Sequence, residues 1–163
     1  MDELKQQTKH IREVLPKIAM NLRIARLIDE VKPGLTTSQL MLLLILKDKK
    51  DTAFSIGDLA QHLSVTLPSA SGIVDRLHKE KLVERKRSGQ DRRLVLVKLT
   101  NTGKETVKKL LEAFEKLIFS ILKKMPETER EIIIKSIEKV FEFSIALSKD
   151  ARGEEVFLPG ATT

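Results

Sequence analysis

No cysteine, tryptophan or tyrosine occurs in the 163 residues. The lack of cysteine excludes disulfides, thiolate nucleophiles, cysteine zinc fingers and any thiol redox switch. Histidine is scarce too. His10, His62 and His78 stand far apart with no paired metal-ligand spacing, so metal catalysis has no donor set and no cofactor is expected. Long hydrophobic runs are also missing. The longest, Leu40 to Leu46, falls well short of the roughly 20 residues that span a bilayer. The opening residues are charged and carry no apolar stretch like a signal peptide, so a cytoplasmic protein with no membrane partner is expected. No nucleophile, base and orienting group converge in the sequence, and an enzyme is not expected. There is no internal repeat and no low-complexity segment.

What is present is a globular composition with a basic excess: 41% hydrophobic, 33% charged, formal net charge +7. Such a balance suits an acidic partner, but proteins of the ribosome, of membrane surfaces and of DNA all share it. The position of the charge decides. Along residues 11 to 31, Ile11, Val14, Leu15, Ile18, Leu22, Ala25 and Ile28 recur at steps of three and four, the mark of one apolar helix face. Pro16 interrupts that pattern and is expected to kink the helix or start a new segment. Lys32-Pro33-Gly34 is a stop signal. Thr36 and Gln39 resemble a capping box ahead of a buried, leucine-rich helix over Leu40 to Leu46, and Lys47 to Thr52 reads as a loop.

Two short helices follow. Ser55 caps the first, with Asp58 in its first turn, and it ends near Leu63. Thr66 caps the second, which opens Leu67-Pro68-Ser69, proline being tolerated in a first helical turn. Ala70, Ile73, Val74 and Leu77 give the second helix its buried face. Leu59 to Leu77 is therefore a helix-turn-helix candidate. The period then changes from helical to alternating. A strand starts at Leu82-Val83, Ser88-Gly89-Gln90-Asp91 supplies turn chemistry, and Val95, Val97 and Leu99 alternate with Leu94, Leu96 and Lys98. This β-hairpin is a wing. Thr100-Asn101-Thr102-Gly103 leads into a long helix with an apolar stripe from Val107 to Leu122. Pro126 ends it, and a last helix runs from about Glu127 to Ser148.

Between Arg76 and Lys98 lie nine basic and three acidic residues, +6 of the chain's +7. Charge runs usually coat solvated surfaces. This one covers the end of a candidate recognition helix and the adjoining hairpin, where a basic surface gains from counterion release on DNA. Asp91-Arg92-Arg93 sits at the hairpin tip. The carboxylate there is suited to hold an arginine fork and aim it. An arginine aimed into a narrow A·T-rich minor groove gains from the enhanced negative potential there.

Residues 55 to 103 resemble the MarR family of winged helix-turn-helix regulators. The resemblance is carried by Ser55-Ile56-Gly57-Asp58-Leu59-Ala60, by Ser69-Ala70-Ser71-Gly72-Ile73-Val74-Asp75-Arg76-Leu77, and by Leu82-Val83-Glu84-Arg85. It ends on Asp91-Arg92-Arg93 and Leu99-Thr100-Asn101-Thr102-Gly103. In length and order of helices it extends over about residues 10 to 148. It implies a mainly α fold with a small β-wing, divided into an N-terminal dimerisation helix (1–35), a winged helix-turn-helix DNA-binding domain (36–100), C-terminal dimerisation helices (101–148) and a tail (149–163).

The function it implies is that of a sequence-specific transcriptional regulator, a repressor by family habit, acting as a homodimer on an inverted-repeat operator in double-stranded DNA. Helix 67–80 would enter the major groove, with Thr66, Ser69, Ser71 and Arg76 near DNA. Arg85, at the position before the wing, and Lys86, Arg87 and Arg92 would also bind DNA, Arg93 would be the minor-groove arginine of the wing, and Asp91 would orient it. A small anionic or aromatic effector that lowers DNA affinity is also implied, with Lys17, Arg23 and Arg26 as cations to meet it, although surface or DNA-backbone charges account for those three more simply. Two residues depart from the family pattern. Lys81 stands where glycine is usual before the wing, so that turn either differs or holds a left-handed non-glycine residue. Gly72 stands where a larger side chain is common. Serines at 69 and 71 are weakly selective, so the operator sequence is not legible. The main rival is a winged-helix protein–protein adaptor without specific DNA binding.

Overall fold

Pro16 does not break the first helix. In the computed structural model, which describes residues 1–48, 53–87 and 94–152 and side chains as far as residue 146, α1 runs unbroken over Asp2–Asn21 with Pro16 inside it. The break comes at Arg23, which is left-handed at φ 49° and caps α2 (Ile24–Val31). The carbonyl that Pro16 leaves without an N–H belongs to Arg12, an exposed residue, so the missing bond leaves no buried unpaired group.

The capping box expected at Thr36 is formed: the Thr36 N–H donates to Gln39 Oε1 at 2.8 Å and the Gln39 N–H to Thr36 Oγ1 at 3.3 Å. It starts α3 (Thr37–Asp48), which buries Leu40, Leu42, Leu43, Ile45 and Leu46. After β1 (Phe54–Ser55) come α4 (Ile56–Leu63) and α5 (Leu67–Lys79), then β2 (Val83–Arg87) and β3 (Val95–Leu99), and finally α6 (Asn101–Leu122) and α7 (Glu127–Arg152). The sheet is antiparallel in the order β1-β3-β2. Its register pairs Val83 with Leu99, Arg85 with Val97 and Arg87 with Val95. β1 adds Phe54 opposite Val97, a third strand that two residues cannot announce by periodicity. α7 extends to Arg152, four residues past the expected Ser148.

The core lies under the middle of the chain. Leu42, Leu43, Phe54, Leu59, Val74, Leu77, Leu82, Val97, Val107 and Leu110 are all essentially sealed from solvent. By contrast α1 buries no side chain, and none of the described side chains of α7 is buried. Ile11, Leu15 and Ile18 on α1 remain 56%, 59% and 46% exposed. Ile118 and Phe119 of α6 and Ile137 and Val140 of α7 are exposed likewise. The chain thus combines a well-packed central unit with terminal helices whose apolar residues are mostly exposed. No described helix is long and apolar enough to cross a membrane.

Candidate nucleic-acid interface

Each helix of the helix-turn-helix starts on a side-chain cap. Ser55 Oγ accepts from the Asp58 N–H at 3.1 Å, and the Ser55 N–H donates to Asp58 Oδ2 at 3.0 Å, which closes a capping box on α4. Ser64, left-handed at φ 56°, ends α4 and turns the chain. Thr66 then caps α5: its Oγ1 accepts from the Ser69 N–H at 3.4 Å and lies 2.8 Å from Ser69 Oγ. Ala70, Val74 and Leu77 bury the inner face of α5. Its outer face carries Ser69, Gly72, Arg76 and Lys79 at steps of three, four and three, all exposed except the half-buried Gly72. A Cβ at Gly72 would meet nothing within 4 Å. The outer face is therefore open and polar, and basic toward its C-terminal end.

The end of α5 is fixed to the wing by an unusual left-handed residue. Lys81 adopts φ 60°, which settles the departure from glycine noted at that position. The Lys81 N–H donates to the His78 carbonyl and the Leu82 N–H to the Leu77 carbonyl, both at 2.9 Å. Those two bonds make a Schellman cap, with Leu77 and Leu82 as its apolar pair. Thr100 ties the same corner to α6. Its Oγ1 donates to the Lys81 carbonyl at 2.6 Å and accepts from the Gly103 N–H at 3.0 Å, while its own N–H donates to the Leu82 carbonyl at 3.1 Å. Gly103 is buried against that corner: a Cβ there would collide with the Leu82 carbonyl oxygen and lie 3.0 Å from its carbon. The Leu-Thr and Gly of the sequence pattern thus form one joint, where α5, the wing and α6 meet.

The candidate DNA-binding residues fall into three groups. Thr66, Ser69 and Arg76 lie exposed along α5, and Ser71 is half-buried on its flank. Lys86 and Arg87 are exposed on β2. Arg85 differs. Its side chain is 27% exposed, Nη2 stands 2.7 Å from Asp75 Oδ1, and it also donates to the Ser71 carbonyl at 3.4 Å. Asp91, Arg92 and Arg93 lie outside the described residues, as do 49–52 of the loop before β1.

Part of the counted charge is neutralised internally. Lys98 pairs with Glu84 at 2.9 Å. That ammonium, as hydrogen-bond donor and as charge, holds the Glu84 carboxyl below its ordinary range. Glu80, at the foot of α5, pairs with Lys32 at 2.7 Å and so links α5 to the end of α2. Sequence reasoning assigned no ion pair to Asp75, Glu80 or Lys32. The i, i+4 spacing of Ser71 and Asp75 on α5 was the available signal, but nothing in the sequence pointed it at Arg85.

The cations considered for an anionic effector do not gather around a described cavity. Arg26 pairs with Glu30 at 2.9 Å, and Arg23 sits at the left-handed break between α1 and α2. A cleft of about 760 Å³ lies elsewhere, between the end of α3, the end of β3 and α6, with Leu46, Val107 and Leu111 among its apolar lining and Lys47, Lys98 and Lys104 among its cations. Among the described residues, no cluster of histidine and carboxylate groups has the makings of a metal site.

A family model described as "MarR family" matches residues 34–94, which hold α3, the helix-turn-helix and β2 but stop short of β3. The chain is 27% identical over 109 residues to the HTH-type transcriptional repressor YetL of Bacillus subtilis, a match that spans 67% of this chain and just under two thirds, 65%, of that protein. Its fold is similar to the crystal structure of RV1404 from Mycobacterium tuberculosis, with TM-score 0.73, 26% identity, and coverage of 82% of this chain and 92% of that one. It is also similar in fold to Streptococcus pneumoniae FabT, solved in complex with DNA, with TM-score 0.72, 21% identity, and coverage of 86% and 99%.

Proposed function

We propose that the chain is a winged helix-turn-helix transcriptional regulator of the MarR family, a reading supported by the family model over residues 34–94 and by the likeness to YetL and RV1404, and that it binds operator DNA as a homodimer and represses transcription. The observation that carries the proposal is the outer face of α5. It is a capped helix with exposed Ser69 and Arg76 and an open Gly72, beside a strand that exposes Lys86 and Arg87. Helix side chains of this kind reach base edges in the major groove, while strand cations meet phosphates and set the register. Thr66, Ser69, Ser71 and Arg76 are the α5 contacts in this reading. Lys86, Arg87 and Arg92 supply wing charge, and Arg93, aimed by Asp91, enters the minor groove. Repression is supported by the YetL likeness.

The second copy is the proposed cover for the terminal helices. Apolar side chains recur along α1, the second half of α6 and α7 and are exposed in one subunit, and several helices that expose apolar residues in this way suit an association face. A twofold dimer built there carries two α5 helices, which matches an inverted repeat. In the finer form of the proposal, a small anionic or aromatic molecule binds between the terminal helices and the winged unit and lowers DNA affinity.

Gel shifts with a graded salt series separate the regulator from a winged-helix adaptor. With about 6–10 phosphates neutralised per dimer, affinity is expected to fall roughly 10³–10⁵-fold between 50 and 200 mM salt. Absence of any shifted band at 50 mM salt would favour the adaptor.

A further inference from the structure

The ion pair between Asp75 and Arg85 joins the two elements that would touch DNA. Asp75 lies on α5 and Arg85 on β2. In β2 side chains alternate between faces, so Arg85 shares the face of Val83, which is 1% exposed, and points back at the helix. One guanidinium nitrogen reaches both the Asp75 carboxylate, at 2.7 Å, and the Ser71 carbonyl, at 3.4 Å. Ser71 and Asp75 are four apart and so occupy one flank of the helix. The Arg85 Nε is itself buried, so this edge of the guanidinium is turned into the protein. The Ser71 carbonyl belongs to the helix backbone, so this longer contact at 3.4 Å adds a backbone point of α5 to the side-chain ion pair.

We propose that Asp75 and Arg85 are positioning residues that lock the angle between recognition helix and wing, so that both meet DNA as one body without either residue contacting it. This rests on the DNA-binding reading given above. It also assigns a purpose to Asp75, an anion beside a surface that phosphates should approach. Simple charge counting makes that anion a liability. A lock makes it necessary, since specific recognition needs α5 and the wing to reach their grooves together, and non-specific attraction to phosphates does not.

The test uses Asp75→Asn, Arg85→Gln and the double variant in the full-length protein. The probes are a duplex enriched by the wild-type protein from a random pool and a scrambled duplex of equal length. Asp75 is 53% exposed on its side chain, so its isosteric amide leaves the core untouched, and thermal melting verifies the fold of each variant. The lock predicts that each single change weakens binding to the enriched duplex by about tenfold, the lower range for one lost base contact. It predicts that the double variant loses no more than either single one, because both act through one bridge. It predicts unchanged salt dependence and no loss on scrambled DNA. If Arg85 instead holds a phosphate, Arg85→Gln lowers the salt slope by about 0.9 per subunit and weakens both duplexes alike. That result overturns the proposal, and so does tighter or unchanged binding of the enriched duplex by Asp75→Asn. Failure of the wild-type protein to enrich any duplex overturns the DNA-binding reading itself, and the lock with it.

Discussion

The same substitution at two helical glycines should shift stability in opposite directions. Gly72 and Gly103 both lie inside helices, α5 and α6. Alanine is the better helix former by about 0.8–1.0 kcal/mol in a helix interior. At Gly72 the added methyl meets nothing within 4 Å, so the propensity gain should appear almost whole. At Gly103 the methyl meets the Leu82 carbonyl oxygen, lies 3.0 Å from its carbon and 3.3 Å from Leu99 Cδ2. Those atoms cannot yield cheaply. The Leu82 carbonyl accepts from the Thr100 N–H, and the Leu82 N–H closes the cap on α5. Relief requires α6 to back away, which stretches the Thr100–Gly103 cap. Overpacking costs about 1–3 kcal/mol and a lost cap about 1 kcal/mol, so the net loss after the propensity gain is about 1–3 kcal/mol. For a chain of this size that lowers Tm by roughly 2–12 °C, while Gly72→Ala raises it by roughly 2–4 °C. Urea denaturation at fixed protein concentration gives the two free energies independently, with unchanged m-values confirming that only stability moved. A Gly103→Ala protein as stable as wild type, or two alanine variants that shift alike, would refute the account of the joint between recognition helix, wing and α6.

Replacing Leu117 and Ile121 by Asp should yield monomeric or insoluble protein in sedimentation, and a soluble dimer of native mass after that change would contradict the proposed use of the terminal helices. In the wing, Arg93→Ala should weaken operator binding more than Lys86→Ala, because a minor-groove arginine is held by the groove potential and an exposed lysine meets phosphate as a point charge. Asp91→Ala should also weaken binding although it removes a negative charge, and tighter binding would leave the wing as only a basic patch. At pH below the ordinary carboxylate range, protonation of Glu84 removes its pairing with Lys98. A carboxyl held below its ordinary range contributes stability at pH above its unfolded value and loses it as pH falls through the folded value, so Glu84→Gln should flatten the acid limb of a melting-temperature profile slightly.

The parts of this fold that were legible in the sequence are those with a local physical cause. Ser55 and Thr66 announce their helices because a capping hydroxyl has one job at one position, and the observed caps carry it out. Val97 and Leu99 announce a strand by alternation, and both are buried as that pattern requires. Lys81 stood out as the wrong residue type for its turn, and its left-handed backbone is the reason. The break between α1 and α2 was misplaced because proline is a strong local signal, while the left-handed turn at Arg23 has none. Phe54 joins the sheet through a partner more than forty positions away, and no local pattern reports that pairing. In the candidate interface, residue types on α5 were readable, but the engagement of Arg85 with Asp75 and Ser71 was not. A basic residue in a basic run carries no local sign of the acidic or carbonyl partner it meets in space.

Selection of bound duplexes from a random pool by the full-length protein, followed by measurement of subunits per duplex, tests the central claim most directly. A dimer that presents two α5 helices about one turn apart should enrich an inverted repeat whose half-site centres lie about 10–10.5 bp apart, or near a multiple of that, with two subunits bound. No enrichment, or a single asymmetric element bound by one subunit, would contradict it.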